Sequence, residues 1–215
     1  MRLSLFILCC CTALALSAQD TPPNLDFESG KEGDLPGWSN FGGDGYTVSS
    51  VDEAYGGTKA GFINTTTGSG DYKALAYNIP ARYEGKQLKL TGWVKTKDVT
   101  DGYAGLWLRL DPQVGFDNMA DRGLTGTNDW QRLEIEMELK PSQTKAIVLG
   151  CLLVGKGQVW VDDLELTIDG KPYDQAPAKK LPLAQLDKEF DAGSGVVFPE
   201  LTPALIEDLT FLGKV

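Results

Sequence analysis

Apolar residues recur at every second position through the middle of this chain, and that alternation constrains its fold more than any other feature. Over residues 87–95, Leu88, Leu90 and Val94 fall on one side, with Lys89, Thr91, Trp93 and Lys95 on the other. Over residues 103–111, Leu106, Leu108 and Leu110 oppose Tyr103, Trp107, Arg109 and Asp111; over 131–140, Leu133, Ile135, Met137 and Leu139 oppose Arg132, Glu134, Glu136 and Glu138. Successive strand side chains point to opposite faces, so period two predicts strands with one buried face, and a helix would scatter these residues around its axis. Residues 146–154 form an unbroken apolar run, as expected of a strand covered on both faces. Weaker strands are expected near 24–28, 45–51, 59–63 and 72–79, and another over 158–168. With 25 Gly in 215 residues to supply turns, about nine short strands predict an all-β fold, an antiparallel two-sheet β-sandwich over residues 24–170.

The flanks have another character. Leu3 to Leu16 is almost wholly apolar after Met1-Arg2, and Ala15, Ser17 and Ala18 are small. This reads as a signal peptide over residues 1–18, too short to span a bilayer; a lipid anchor on one of Cys9, Cys10 or Cys11 is the rival reading. Its removal takes three of the four cysteines and leaves Cys151 without an internal disulfide partner. The chain is then expected to be exported, secreted or periplasmic, with no membrane span. Residues 171–201 contain Pro172, Pro177, Pro182, Pro199 and Gly193-Ser194-Gly195 and read as a linker. Thr202-Pro203 then caps a helical pattern of Leu205, Ile206, Leu209 and Leu212 over 202–215. Its apolar stripe lacks an evident partner, so the natural polypeptide is expected to continue past Val215.

Composition removes whole classes of chemistry. With no histidine, a Ser-His-Asp triad, a Cys-His dyad and His-ligated metals are excluded. A formal net charge of -10 argues against nucleic acid as a partner. Cys151 lies inside an apolar run and reads as an inert thiol. Ser194 sits in linker rather than on a nucleophile elbow, and no carboxylate stands out as a buried proton donor. The chain is therefore expected not to be an enzyme by itself. Asn64-Thr65-Thr66 fits a glycosylation sequon, a weak pattern alone.

Two constellations remain. If residues 24–28 form a strand, Asn24, Asp26 and Glu28 share one side while Leu25 and Phe27 enter the core. In the last body strand, Val159 and Val161 hold one phase and Leu164 and Leu166 the other, so a bulge is expected at Asp162-Asp163. Side by side, the first and last strands would gather Asp26, Glu28, Asp162 and Asp163, hard oxygen ligands suited to a structural Ca²⁺; otherwise they are separate solvent-facing acidic edges. The second constellation is Trp93, Lys95, Tyr103, Trp107 and Arg109, a mixture of rings and hydrogen-bonding groups suited to sugar. Asn118, in the loop from Phe116 to Gly123, would rim such a site. The alternatives are that Trp93 and Trp107 pack in the core or under a loop, and that Asp121 and Arg122 pair within an ordinary connection. Trp38, Trp130 and Trp160 read as packing residues.

The stretches NLDFESG, LPGWSNFGGDGY, LTGWVKT, GYAGLWLRLD, FDNMADRG, GTNDW and VWVDDLEL together resemble a bacterial galactose-binding-like jelly-roll domain, a fold shared with many carbohydrate-binding modules. The resemblance covers about residues 24–170. It implies a structural calcium on Glu28 and on Asp162 or Asp163, and a glycan or other extracellular ligand. Phe190-Asp191, Leu201-Thr202-Pro203 and Leu209 to Val215 resemble the lead-in to a secreted tail-specific serine peptidase, whose catalytic Ser and Lys would lie beyond Val215. Three functions follow as expectations: a ligand-binding accessory module of a larger hydrolase with a downstream catalytic domain, the N-terminal fragment of such a peptidase, or a spacer with no ligand.

Overall fold

The computed structural model describes residues 23–65, 67 and 71–180; the expected leader, the linker beyond residue 180 and the helix over 202–215 lie outside the described residues. Within them the chain is all-β and every strand pair is antiparallel. The strands are β1 (Trp38–Gly42), β2 (Thr47–Val51), β3 (Ala60–Thr65), β4 (Tyr72–Pro80), β5 (Gln87–Asp111), β6 (Gly115–Asp117), β7 (Leu124–Glu138), β8 (Ala146–Val154), β9 (Lys156–Ile168) and β10 (Lys171–Pro172). Among the described residues no helix is long and apolar enough to cross a membrane.

β5 organises the two layers. The alternating stretches 87–95 and 103–111 are one strand of 25 residues. Its first half pairs with β7 on one side and β9 on the other, and β9 continues the layer through β3 to β2. From Ala104 to Asp111 it pairs instead with β8, and that layer runs on through β4 to β1. The change of sheet occurs where Asp98 (φ 54°) and Asp101 (φ 60°) are left-handed and the register shifts. Strands that pass between packed sheets turn corners by such irregularities. The β8–β9 hairpin passes so close that a Cβ on Gly155 (φ 80°) would meet Thr100 O at 2.4 Å, a position only glycine tolerates.

The core lies between the layers. Leu88, Leu90 and Val94 from the first half of β5, and Leu106, Leu108 and Leu110 from the second, are all fully buried in one cluster with Ile135, Leu149, Cys151, Val159 and Phe27. Each such side chain contributes roughly 1.5–3 kcal/mol by leaving water. The period-two faces therefore fall as the sequence predicts. A small second cluster of Ala74, Ala76, Trp107, Val148 and Leu152 forms outside the core, on the outer face of the β1–β4–β8–β5 layer.

Two segments differ from expectation. Residues 24–28 are not a strand: Phe27 is left-handed (φ 59°) and the segment touches the sheet by one ladder-like bond, Leu164 N–H to Leu25 O at 3.0 Å. Leu25 and Phe27 are still buried, but so is Asn24. Its amide donates to Pro36 O and accepts from Ser29 N–H, so it locks a turn instead of sharing a face with Asp26. The segment after residue 170 also remains attached to the body. β10 pairs with β9, Tyr173 packs edge-on against Tyr83 at 5.4 Å, Ala178 bridges to Tyr83, and Lys179 donates N–H to Arg82 O and Nζ to Thr144 O. Prolines there punctuate a docked strap as far as Lys179.

Candidate functional site

The outer face of the β1–β4–β8–β5 layer is hollowed into a cleft of about 370 Å³, within the range of small-ligand sites. Its floor is Trp107, only 2% exposed. The indole Nε1 donates to Leu75 O at 2.8 Å, which holds the ring beside Gly150, its partner on β8. The rim is aromatic: Phe41 meets the Trp107 ring edge-on at 5.5 Å and Tyr72 at 6.2 Å, and Phe116 stands on β6. Four large hydrophobic residues are exposed among the described residues, and three of them, Phe41 (38%), Tyr72 (43%) and Phe116 (60%), line this one cleft. Exposed rings gathered at a concavity are costly in water and mark a contact surface.

Polar groups enter from two sides. Arg109 lies over Trp107, its guanidinium carbon 5.7 Å from the ring centroid. It is paired to Asp111 along the same strand, Nη2 to Oδ2 at 3.0 Å and Nε to Oδ1 at 2.8 Å. Asn118 comes from the loop after β6. Asp117 accepts from Met119 N–H at 2.8 Å and from Arg122 Nη2 at 2.6 Å, and Arg122 also holds Asp121. Burial raises the Asp117 carboxyl, but Arg122 and the Met119 amide outweigh it and leave the group below its usual range. Met119, left-handed at φ 58° and 3% exposed, pins the loop into the core. The loop is thus internally paired and also presents Asn118 to the cleft. Tyr103 supports the same cluster; burial raises its phenol, a bond with Asn118 opposes this, and the Asp117 charge adds to it.

The structure therefore brings Trp107, Arg109 and Asn118 together, with Tyr103 behind them. Trp93 is elsewhere. It points outward from the other layer, under the β2–β3 loop, stacked on Tyr55 at 3.7 Å, with Trp130 6.0 Å from the Tyr55 ring. Lys95 beside it is tied to Glu53 at 2.9 Å. The outward alternation of Trp93 and Trp107 is the same, but β5 changes layer between them. Phe41 and Tyr72 escaped sequence reasoning because each is a lone aromatic on its face of β1 or β4 and carries no periodic signal; of Phe116, only the loop it begins was read as a rim. The adjacency of Phe116 to Asn118 was the one available hint.

The acidic residues form a second locus. The bulge expected in β9 is present: Thr91 pairs with Glu165 and Trp93 with Asp162, so three steps on β9 face two on β5, with Asp163 at φ 45°. Asp162 is wholly buried; its Oδ2 accepts from Tyr55 and Gly56 N–H at 2.8 and 3.0 Å, and its Oδ1 from Asp163 N–H. Burial pushes its carboxyl up to about 6 against the opposing pull of those amides. Glu28 accepts from Thr58 Oγ1 and from Thr58 and Lys59 N–H, bonds that lower its carboxyl. The two carboxylates thus clamp the β2–β3 loop. Asp163 is raised by burial and then by the charges of Asp26 and Glu28, so these three are electrostatic neighbours. Among the described residues no group of three or more His, Cys, Asp or Glu side chains is placed to enclose a metal ion. Cys151 is fully buried, and burial pushes its thiol far up.

No family model matches the chain. Among curated proteins it is similar to an uncharacterized HTH-type transcriptional regulator, YbfP, of Bacillus subtilis (strain 168), 35% identical over an alignment of 113 residues that covers 49% of this chain and 38% of that protein. The chain thus spans well under half of that relative's length. No α-helix occurs among the described residues, so a helix-turn-helix is not among them. Of solved structures, the enzymatically active domain of tailspike protein 4 from bacteriophage CBA120 superposes with a TM-score of 0.50 at 15% identity, over 68% of this chain and 21% of that one, a likeness of fold alone. A family 61 carbohydrate-binding module, TmCBM61, in complex with β-1,4-galactotriose gives 0.48 at 17% identity, over 68% of this chain and 96% of that one. The family 11 carbohydrate-binding module of Clostridium thermocellum in complex with a β-1,3-1,4-mixed-linked tetrasaccharide gives 0.42 at 17%, over 68% and 94%.

Proposed function

We propose that the β-sandwich is a non-catalytic glycan-binding module whose binding face is the cleft over Trp107. The observation that carries this reading is the gathering of Phe41, Tyr72 and Phe116 at one cleft that also holds Arg109 and Asn118. Sugar rings present apolar C–H faces and a girdle of hydroxyls; exposed rings take the former and the Arg and Asn side chains the latter. The resemblance of residues 24–170 to carbohydrate-binding jelly rolls points the same way. Calorimetric titration of a panel of soluble glycans tests it. Saturable binding, weakened at least tenfold in Phe116→Ala or Tyr72→Ala, is expected. Absence of saturable binding to every glycan favours the spacer reading.

Three finer readings belong with it. Export rests on the character of residues 1–18, and the role as accessory to a downstream tail-specific peptidase on the resemblance of residues 190–215. A structural Ca²⁺ is proposed beside Glu28 and Asp163, with Asp26 nearby. The repulsion of Asp163 by Asp26 and Glu28 supports it, although Lys59 offsets part of the Glu28 charge, and a divalent ion would relieve that repulsion and tie residues 24–28 to β9. Backbone oxygens would have to complete the shell, since the side chains alone form no cage. A thermal midpoint that rises in millimolar Ca²⁺ and falls in chelator is expected; an unchanged midpoint discards the ion.

A further inference from the structure

We propose that the Arg109–Asp111 pair makes the cleft selective for neutral glycans, reading adjacent sugar hydroxyls and rejecting acidic ones, with Asp111 as the specificity-determining residue. This rests on the glycan reading of the cleft. Arg109 is the charged residue lining the cleft, and a lone guanidinium there would attract a uronate or a sulfate. It is not alone. Asp111 holds it through Nη2 at 3.0 Å and approaches Nε at 2.8 Å, so the local charge sums to zero.

The neighbouring rim adds to the effect, because Asp117 and Asp121 share the single cation of Arg122 and leave one negative charge. The whole chain carries -10. A polyanion therefore meets a neutral floor, an acidic rim and an acidic protein, with nothing to offset its desolvation. The pair retains hydrogen-bonding capacity. A guanidinium has five N–H donors. One serves Asp111 Oδ2, while the buried Nε–H meets no acceptor in line. Asp111 does not itself line the cleft; it orients the guanidinium from the same face of β5, and the N–H groups it leaves free donate to adjacent hydroxyl oxygens of a neutral sugar.

The test titrates wild type, Asp111→Asn and Arg109→Gln with neutral oligosaccharides (galactan, xylan and mixed-linked glucan) and with an oligogalacturonate of equal length, at low and physiological salt. Wild type is expected to bind a neutral glycan and not the oligouronate. Asp111→Asn frees the guanidinium charge; it should lose about tenfold for the neutral ligand and gain salt-sensitive binding of the oligouronate. Arg109→Gln should lose neutral binding without that gain. Thermal midpoints identify any variant that fails to fold, and the other variant then decides. Preferential binding of the oligouronate by wild type overturns the inference while the glycan reading stands. So does neutral binding unchanged in both variants. No binding to any glycan overturns both.

Discussion

Replacing Gly150 with alanine should lower the stability of the sandwich. Gly150 lies directly opposite Trp107 on β8. An added Cβ would stand 2.0 Å from Leu75 O, 2.9 Å from Leu75 C and 3.1 Å from Trp107 Nε1. Close carbon–oxygen contacts settle at about 3.3–3.6 Å, so β4 and β8 would have to part by more than an ångström, which also pulls Leu75 O away from the indole. Overpacking of this kind costs about 1–3 kcal/mol, and loss of the Trp107–Leu75 hydrogen bond about 1 more. The sum, about 2–4 kcal/mol, lowers the thermal midpoint of a domain this size by about 4–16 °C. Gly105→Ala is the control, since its Cβ would meet mainly the flexible Met119 side chain, Sδ at 3.3 Å, and should cost under about 1 kcal/mol. Urea and thermal melts of both variants check this. A Gly150→Ala midpoint within about 2 °C of wild type, or below that of Gly105→Ala by no more than the error, would refute the argument.

Two further outcomes are expected. A chain ending at residue 170 should be less stable to urea than one ending at 180 by about 2–3 kcal/mol, because it lacks β10, the Tyr83–Tyr173 contact and the Lys179 bonds; equal midpoints would show the strap to be inert. The Cys151 thiol, buried and pushed up, should resist alkylation at pH 8 in the folded protein and react on unfolding in denaturant, read by mass spectrometry of its peptide; prompt modification under native conditions contradicts its packing.

Most of the core was legible in the sequence, for one physical reason. Where one face of a strand is buried and the other wet, the period of two is written into the residues, as in Leu88, Leu90 and Val94 or Leu106, Leu108 and Leu110. Even the bulge at Asp162-Asp163 showed as a slip in that period. The candidate cleft was legible only in part. Trp107, Arg109 and Asn118 do share the cleft, but Trp93 alternates in the same phase and lies on the far side of the sandwich. Alternation distinguishes inside from outside; it does not say which outside. Phe41 and Tyr72 reach the cleft through pairings of β1 with β4 and β4 with β8, contacts remote in sequence that leave no local mark. The acidic segment misled in another way. Asn24 to Glu28 alternates like a strand, yet the side chain of Asn24 bonds Pro36 and Ser29, and short polar side chains that satisfy nearby backbone groups favour turns over ladders.

Because a single strand serves both layers, the makeup of the cleft depends on a residue count far from it. One extra residue between Asp98 and Asp101 would leave Leu88, Leu90 and Val94 in place. Everything downstream would turn over. Leu106 and Leu108 would be delivered to the cleft, and Trp107 and Arg109 would be driven into the core. The bend at Asp98 and Asp101 acts as a frame marker: it fixes which of two alternating sets of side chains becomes the floor of the site. Substitutions along this strand would be felt locally, whereas insertions at its bend would exchange the cleft's chemistry as a block.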